Sequence, residues 1–426
     1  MSKHLTLSLP GAILISINIM LGTGVFINTV IVAQHTGILG GGLYLLAGVL
    51  MLPLILCIAK LSSMHAQGNF YNFGVMLSPF WGFISTWIYF LAKLASASLS
   101  IHVFVTFLRY IVPSITYYSH VSIDCCIVAL FVLLNLLNTK TGTRIQAFFV
   151  TAKATPLLFA IGAGLYSANW INIAAPHVIW QGIPIALPLV LFCCLGFEAS
   201  CSLSRVIENS PVNAPRAIIT SFSIVVILAA LYQFFFYVSL GDTLTAQTNF
   251  VGVFPALIGK ITPHLKDTLG QLFSLAIASS ALGGAYGIMY SNAWNLFALA
   301  EQSHLKILHW LRPLNDHHIP FLCVIIEGIV CISYLFLTQG KQIPLQYTAT
   351  LGSVLAYTIS VIALYQETKS TLSVLGFISC CLLLLASLSG FMSTSITPLF
   401  IFAAIVAAGC LLFFINHRMH SKTTSL

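Results

Sequence analysis

The chain has 426 residues, of which 58% are hydrophobic and 6% charged, and its mean hydropathy is +0.99. So few polar groups cannot cover a water-soluble fold of this size, which assigns the chain to a lipid bilayer. The net charge of +8 does not point to nucleic acid, because the basic residues fall singly or in twos between apolar runs, with no patch and no aromatic interleaving.

In chain order, twelve apolar stretches predict spanning helices: Leu7 to Ala33, Leu39 to Ala59, Phe80 to Val112, Val121 to Leu137, Ile145 to Tyr166, Trp180 to Val206, Ala217 to Leu240, Leu269 to Ala300, Ile319 to Leu337, Leu345 to Tyr365, Leu372 to Phe391 and Ile396 to Ile415. The first run continues through Val25 and Phe26 without a small-residue cleavage site, so it is expected to remain as a span rather than leave as a signal peptide. An even number of spans puts both termini on one side. With that side cytoplasmic, Lys3, Lys60, Lys140, Arg144, Arg205, Arg216, Lys306, Arg312, Lys369, Arg418 and Lys422 lie inside, against Arg109, Lys260, Lys266 and Lys341 outside, as positive-inside orientation requires. The expected location is a bacterial inner membrane. The longest connections, Gly241 to Thr268 and Glu301 to His318, are loop-sized, so residues 1–426 form one transmembrane domain. The eleven cysteines lie mostly inside apolar stretches, without the spacing of a zinc site, and no metal or cofactor is expected.

Two of these runs are interrupted, at Gly22-Thr23-Gly24 in the first and at Leu195-Gly196-Phe197-Glu198 in the sixth. Each break lies roughly fifteen residues into its run, near mid-bilayer at about 1.5 Å per residue. Backbone cannot unwind in hydrocarbon unless it lines a cavity, so the paired breaks mark a binding site of the kind found in secondary transporters. Grouping spans one to five (7–166) and six to ten (180–365) gives two units with odd helix counts, which must run in opposite directions; the spans within 372–415 are then additional. One break would offer N–H groups and the other C=O groups, a pairing that suits a zwitterion. Gly22 and Gly24 allow close backbone approach to a carboxylate and Thr23 adds a hydroxyl, although a Gly-Thr-Gly notch also serves plain helix packing.

Four charged residues sit inside spans: Lys93, Lys153, Glu198 and Glu327. Each costs at least about 2.5–3.5 kcal/mol at mid-helix unless paired or hydrated. Glu198 follows the second break, where it has either a functional role, the usual meaning of an intramembrane acid, or simply caps freed N–H groups. Lys93 either faces the pocket, where it would favour an acidic side chain, or pairs with Glu198 or Glu327. Glu327 reads as a partner on the bundle interior. His102 lies alone and deep in its span, the usual mark of a hydrogen-bonded core histidine.

The stretch Asn18-Ile19-Met20-Leu21-Gly22-Thr23-Gly24-Val25-Phe26 resembles the first-helix signature of the amino acid-polyamine-organocation (APC) transporters. Phe192-Cys193-Cys194-Leu195-Gly196-Phe197-Glu198 is similar to their sixth helix, and Glu208-Asn209-Ser210-Pro211 with Ala214-Pro215-Arg216-Ala217-Ile218 to the loop that follows. Lys60-Leu61-Ser62-Ser63, with Gly68 and Tyr71, resembles the end of their second helix, with lysine where relatives usually carry an acid. The resemblance covers essentially the whole chain. It implies an all-α membrane protein with a LeuT-type five-plus-five inverted repeat, broken first and sixth helices, and amino acid or amine transport. It also implies a carboxylate site on the backbone of Gly22, Thr23 and Gly24, and amino-group acceptors on the carbonyls of Met20, Phe192 and Leu195, beside Gly196 and Phe197. Phe192 matches an aromatic that closes over substrate in relatives. Glu198 matches an acid linked to gating and proton response. Lys153 resembles the lysine whose amine, in proton-coupled members, occupies the place of a sodium ion; its bland alternative is a snorkelling or permanently paired lysine.

The implied partners are a small amino acid or related amine, protons and the lipid bilayer, with uptake, exchange and export all compatible. A polytopic enzyme would need a converging nucleophile, base or metal set, and His120-Val121-Ser122-Ile123-Asp124 lacks acyltransferase spacing. A receptor would need a sensing domain, and no stretch is long and polar enough to form one.

Overall fold

A computed structural model describes residues 7–65, 68–137, 139–174, 178–302, 306–394 and 397–423. Lys3, used above for orientation, and Ile396, the start of the twelfth predicted span, lie outside them. The first broken run forms α1 (Leu9–Met20) and α2 (Gly24–Thr36), bent by 42° at the break. Ser8 caps α1 by accepting from the Gly11 N–H, and Pro10 sits in its first turn, where no amide partner is lost. Next come α3 (Leu39–Met64), a short helix at Phe70–Val75, α4 (Pro79–Ile111), α5 (His120–Asn135) and α6 (Thr139–Tyr166). The start of α4 is set by Ser78, which accepts from the Trp81 N–H, and by Pro79 at the first helical position.

The sixth run gives α7 (Ile183–Cys194) and α8 (Ala199–Ser202). Here the predicted boundary is corrected: helix ends at Ser202, not Val206, and the chain leaves α8 through a series of turns. The remainder is α9 (Ser210–Leu240), α10 (Val253–Ile261), α11 (Lys266–Gln302), α12 (Phe321–Thr338), α13 (Gln342–Thr368), α14 (Thr371–Thr394) and α15 (Thr397–Thr423). Among the described residues nine helices are long and apolar enough to cross a membrane by themselves, and the bent pair α1–α2 makes a tenth. α5 is apolar but shorter, as is the stretch Phe402–Ile415 within α15.

Polar and apolar surfaces are inverted relative to a soluble protein. Val49, Leu133, Phe336 and Leu385 are each more than half exposed, forming the belt expected against lipid tails. Asn18, Lys93, Asp124, Lys153, Glu198 and Glu327 lie at or below 5% exposure. Helices in corresponding places of the two predicted halves pack on each other: α3 on α9, α4 on α11, α5 on α12, and α2 on α7.

Short backbone ties join the broken runs at both ends. Before α1, the Leu7 N–H donates to the Val206 carbonyl at 2.6 Å and the Leu7 carbonyl accepts from the Glu208 N–H at 2.9 Å, forming a bridge with Ile207. Beyond α2, Gly37 forms a second bridge with Val178, just ahead of α7.

Candidate functional site

The first break runs from Leu21 to Thr23, and Gly24 is already the first residue of α2. The expected unwound segment is thus shifted one residue toward the N-terminus. The amides of Gly22 and Thr23 donate to no protein acceptor among the described residues, whereas the Thr23 carbonyl starts α2 by accepting from Phe26 and Ile27. Free amides at a helix N-terminus form a ready anion site. The carbonyls ending α1 are bound by side chains from other helices. Lys153 Nζ, reaching in from α6, donates to the Asn18 carbonyl at 2.7 Å and to the Leu21 carbonyl at 3.1 Å. The Ser280 hydroxyl of α11 lies 3.0 Å from the Leu21 carbonyl and 3.2 Å from that of Gly22. A protonated amine here would meet the negative end of α1, a favourable placement for its charge. The neighbouring Ser279 instead donates to the Leu275 carbonyl in its own helix at 2.9 Å.

The second break covers Leu195 to Glu198. Gly196 adopts φ 117°, a conformation that side chains disfavour, and a Cβ there would lie 2.7 Å from Ile19 Cγ2 on α1. Glu198 turns back on this segment: Oε2 accepts from the Gly196 N–H at 2.9 Å, while Oε1 accepts from the Tyr89 hydroxyl at 2.7 Å and lies 2.5 Å from Lys93 Nζ. The carboxylate therefore caps the unwound backbone and ties it to α4 at once. Of the alternatives for Lys93, the structure selects the pair with Glu198 and also puts the lysine on the cavity wall. Glu327, the other acid open as a partner for Lys93, does not pair with it. It is fully buried on α12 and forms no ion pair among the described residues.

Between the breaks lies a narrow cavity of about 10 Å³, nearly closed by its walls. Its walls include the predicted Met20, Gly22, Thr23, Gly24, Phe192, Leu195 and Lys93, joined by Ile19, Ser96, Ser100 and Ile288. Gly196 and Phe197 do not line it; the Phe197 ring packs edge-on against Phe222 at 6.0 Å and against Tyr357 at 5.4 Å. Thr23 Oγ1 is 3.2 Å from Ser100 Oγ, so this hydroxyl pair joins α4 to the break. Gly24 is also a packing position: a Cβ there would meet Cys193 Sγ at 2.9 Å and Phe192 Cδ1 at 3.1 Å.

Three features went unread in the sequence. Ser96 and Ser100 were missed, although Tyr89, Lys93, Ser96 and Ser100 recur at helical spacing and mark one polar stripe on an apolar helix. Gly283 and Gly284 let α11 approach the first break, where a Cβ on Gly284 would sit 2.9 Å from the Gly22 Cα, and the Gly283 carbonyl accepts from Asn18 Nδ2 at 2.8 Å. His102 is not alone, since it meets Asp124 and His120 of α5; only the i, i+4 spacing of His120 and Asp124 was visible beforehand.

Comparison with known proteins gives one family match and several partial relatives. The family described as "Amino acid permease" matches residues 7–424. An uncharacterised amino-acid permease of Schizosaccharomyces pombe is 24% identical over 221 residues, covering 52% of this chain and 35% of that protein. Glutamate/gamma-aminobutyrate antiporters of Lactococcus lactis subsp. cremoris and subsp. lactis are each 27% identical over 201 residues, covering 42% of this chain and 39% of theirs. The matched stretch thus spans well under half the length of these relatives. With the family matched across nearly the whole chain and helices of membrane-spanning length throughout, the chain belongs to the amino acid permease family of the APC superfamily and is a multi-pass membrane protein.

Proposed function

We propose that this permease is a secondary active transporter that moves an amino acid by alternating access. In this reading it is built as two inverted repeats (7–166 and 180–365) with further helices at 372–415, and both termini are cytoplasmic in a bacterial inner membrane. The observation that carries the proposal is the meeting of two broken spans at one buried cavity, with the amides of Gly22 and Thr23 left without a protein acceptor among the described residues. The substrate carboxylate would sit on the amides of Gly22, Thr23 and Gly24, and its ammonium on the carbonyls of Met20, Phe192 and Leu195. Packing of α3 on α9, α4 on α11 and α5 on α12 supports the repeat.

Lys93 narrows the substrate class. Its ammonium is on the cavity wall while its charge is matched by Glu198, so a second cation would be repelled and an acidic or neutral side chain accommodated. Two relatives named for glutamate and gamma-aminobutyrate exchange favour an exchanger as the second reading. Coupling is assigned to protons through Lys153, whose amine fills the carbonyl cage at the first break and leaves no vacancy there for a metal cation.

Uptake into proteoliposomes discriminates these readings. Labelled glutamate and neutral amino acids should enter saturably under an inward proton gradient, independently of sodium, whereas lysine and arginine should not. Entry that needs unlabelled substrate inside would establish exchange. No uptake of any amino acid, or a strict requirement for sodium, would overturn the proposal.

A further inference from the structure

Away from the cavity, three ligand-type side chains converge. His102 projects from the later half of α4, and His120 and Asp124 lie one turn apart at the start of α5. His102 Nδ1 is 2.7 Å from Asp124 Oδ2, and His120 Nδ1 is 3.4 Å from the same oxygen. The ring centroids are 3.7 Å apart, and one ligand atom from each residue falls within 4.8 Å of the others. Asp124 is fully buried, and its other oxygen, Oδ1, has no hydrogen-bond partner among the described residues. Such an oxygen is costly to bury unless something else satisfies it. The imidazoles keep 17% and 20% of their surface exposed, so the group is reachable from solution.

From this geometry we infer that His102, His120 and Asp124 form a binding site for a borderline divalent transition metal, zinc being the representative ion. Two imidazoles and a carboxylate favour zinc-like ions over calcium or magnesium, which prefer all-oxygen shells. Tetrahedral bonds of about 2.0–2.1 Å place neighbouring ligand atoms roughly 3.3 Å apart. The His120 contact already has that spacing, and the 2.7 Å His102 contact is a hydrogen bond whose proton the metal would replace through a shift of a few tenths of an ångström. Binding through both carboxylate oxygens would also satisfy Asp124 Oδ1 and, with the two imidazoles, complete four ligand atoms. Thr106 Oγ1, 3.3 Å from His120 Nε2, orients the outer nitrogen of that ring in the manner of second-shell partners. Gly340, in the turn before α13, lies flat on His102: a Cβ would come within 2.3 Å of the imidazole. The site thus pins α4 to α5 beneath the turn leading into α13.

The test uses the full chain purified without a histidine tag. Zinc titration by calorimetry should show one site per chain, and cobalt(II) should give tetrahedral ligand-field absorption that zinc abolishes. Because outer-shell losses alone cost about 10–100-fold in metal affinity, His120→Ala and Asp124→Asn should each weaken binding by at least about 100-fold. Replacing Cys125 and Cys126 by serine should change nothing. X-ray absorption on the zinc-loaded native chain stands even if a variant fails to fold: nitrogen and oxygen neighbours near 2.0–2.1 Å are expected, and sulfur near 2.3 Å would overturn the site. Absence of stoichiometric zinc binding, or unchanged affinity in folded His120→Ala, would overturn it equally.

Discussion

Lys93 and Glu198 offer a quantitative test, because the two charges are buried together but unequally provided with other partners. Glu198 keeps donors from Tyr89 and Gly196 if the lysine is lost, whereas among the described residues Lys93 makes no polar contact besides Glu198, apart from the Tyr89 ring face 5.5 Å away. Removing one partner of a buried pair costs about 3–5 kcal/mol, mostly from the charge left behind. Glu198→Gln should therefore fall at the upper end of that range. Lys93→Met should fall below it, since two charge-assisted hydrogen bonds worth about 1.5–3 kcal/mol each remain on the carboxylate. The double variant buries no unmatched charge and should recover much of the loss, giving a coupling of about 2–3 kcal/mol in a double-mutant cycle. Unfolding of the four proteins in one detergent, followed by tryptophan fluorescence, supplies the cycle. Additive losses, or a Lys93→Met variant less stable than Glu198→Gln, would refute the assignment of the pair as the anchor of the second break.

Lys153→Met should abolish accumulation driven by a pH gradient while sodium leaves native transport unchanged; full gradient-driven accumulation by the variant would make the lysine purely structural. Gly284→Val should cut transport at least about tenfold by wedging α11 against the Gly22 Cα, an overpacking cost of about 1–3 kcal/mol, with surface expression of the variant measured alongside. Gly24→Leu should fail chiefly by driving Phe192 and Cys193 away from α2, and cross-linking or thiol-labelling of Cys193 should report that displacement. Ser100→Ala should raise KM by a few-fold with kcat nearly unchanged, because it loosens Thr23 by one neutral hydrogen bond worth about 0.5–1.5 kcal/mol.

Periodicity and hydropathy made the bundle legible, because a lipid solvent demands long unbroken apolar runs and penalises every exception. For the same reason Gly22, Gly196, Lys93, Lys153 and Glu198 stood out in the chain: each is costly in hydrocarbon and so needs a reason. Less visible was anything whose meaning depends on a distant neighbour. Ser96 and Ser100 are unremarkable in a membrane helix until Thr23 and the cavity lie opposite. The Gly283-Gly284 pair gains its role only from the close approach of Gly22. Glu327 could not be separated from Glu198 as a partner for Lys93, since nothing local records which carboxylate the helix packing delivers. The end of α8 was misplaced because the apolar run continues to Val206 while the backbone turns away to meet Leu7.

That meeting has a mechanical consequence. α1–α2 and α7–α8 are two rods, each hinged at its middle, and they are pinned to one another at both ends by the Leu7–Ile207 and Gly37–Val178 bridges. Rods joined in this way would form a closed linkage: flexing one hinge would oblige the other to flex, so that the pair would move as a single lever rather than as two gates. In the alternating-access reading proposed above, opening toward either face would need no messenger between the halves, because a displacement at one hinge would already be a displacement at the other.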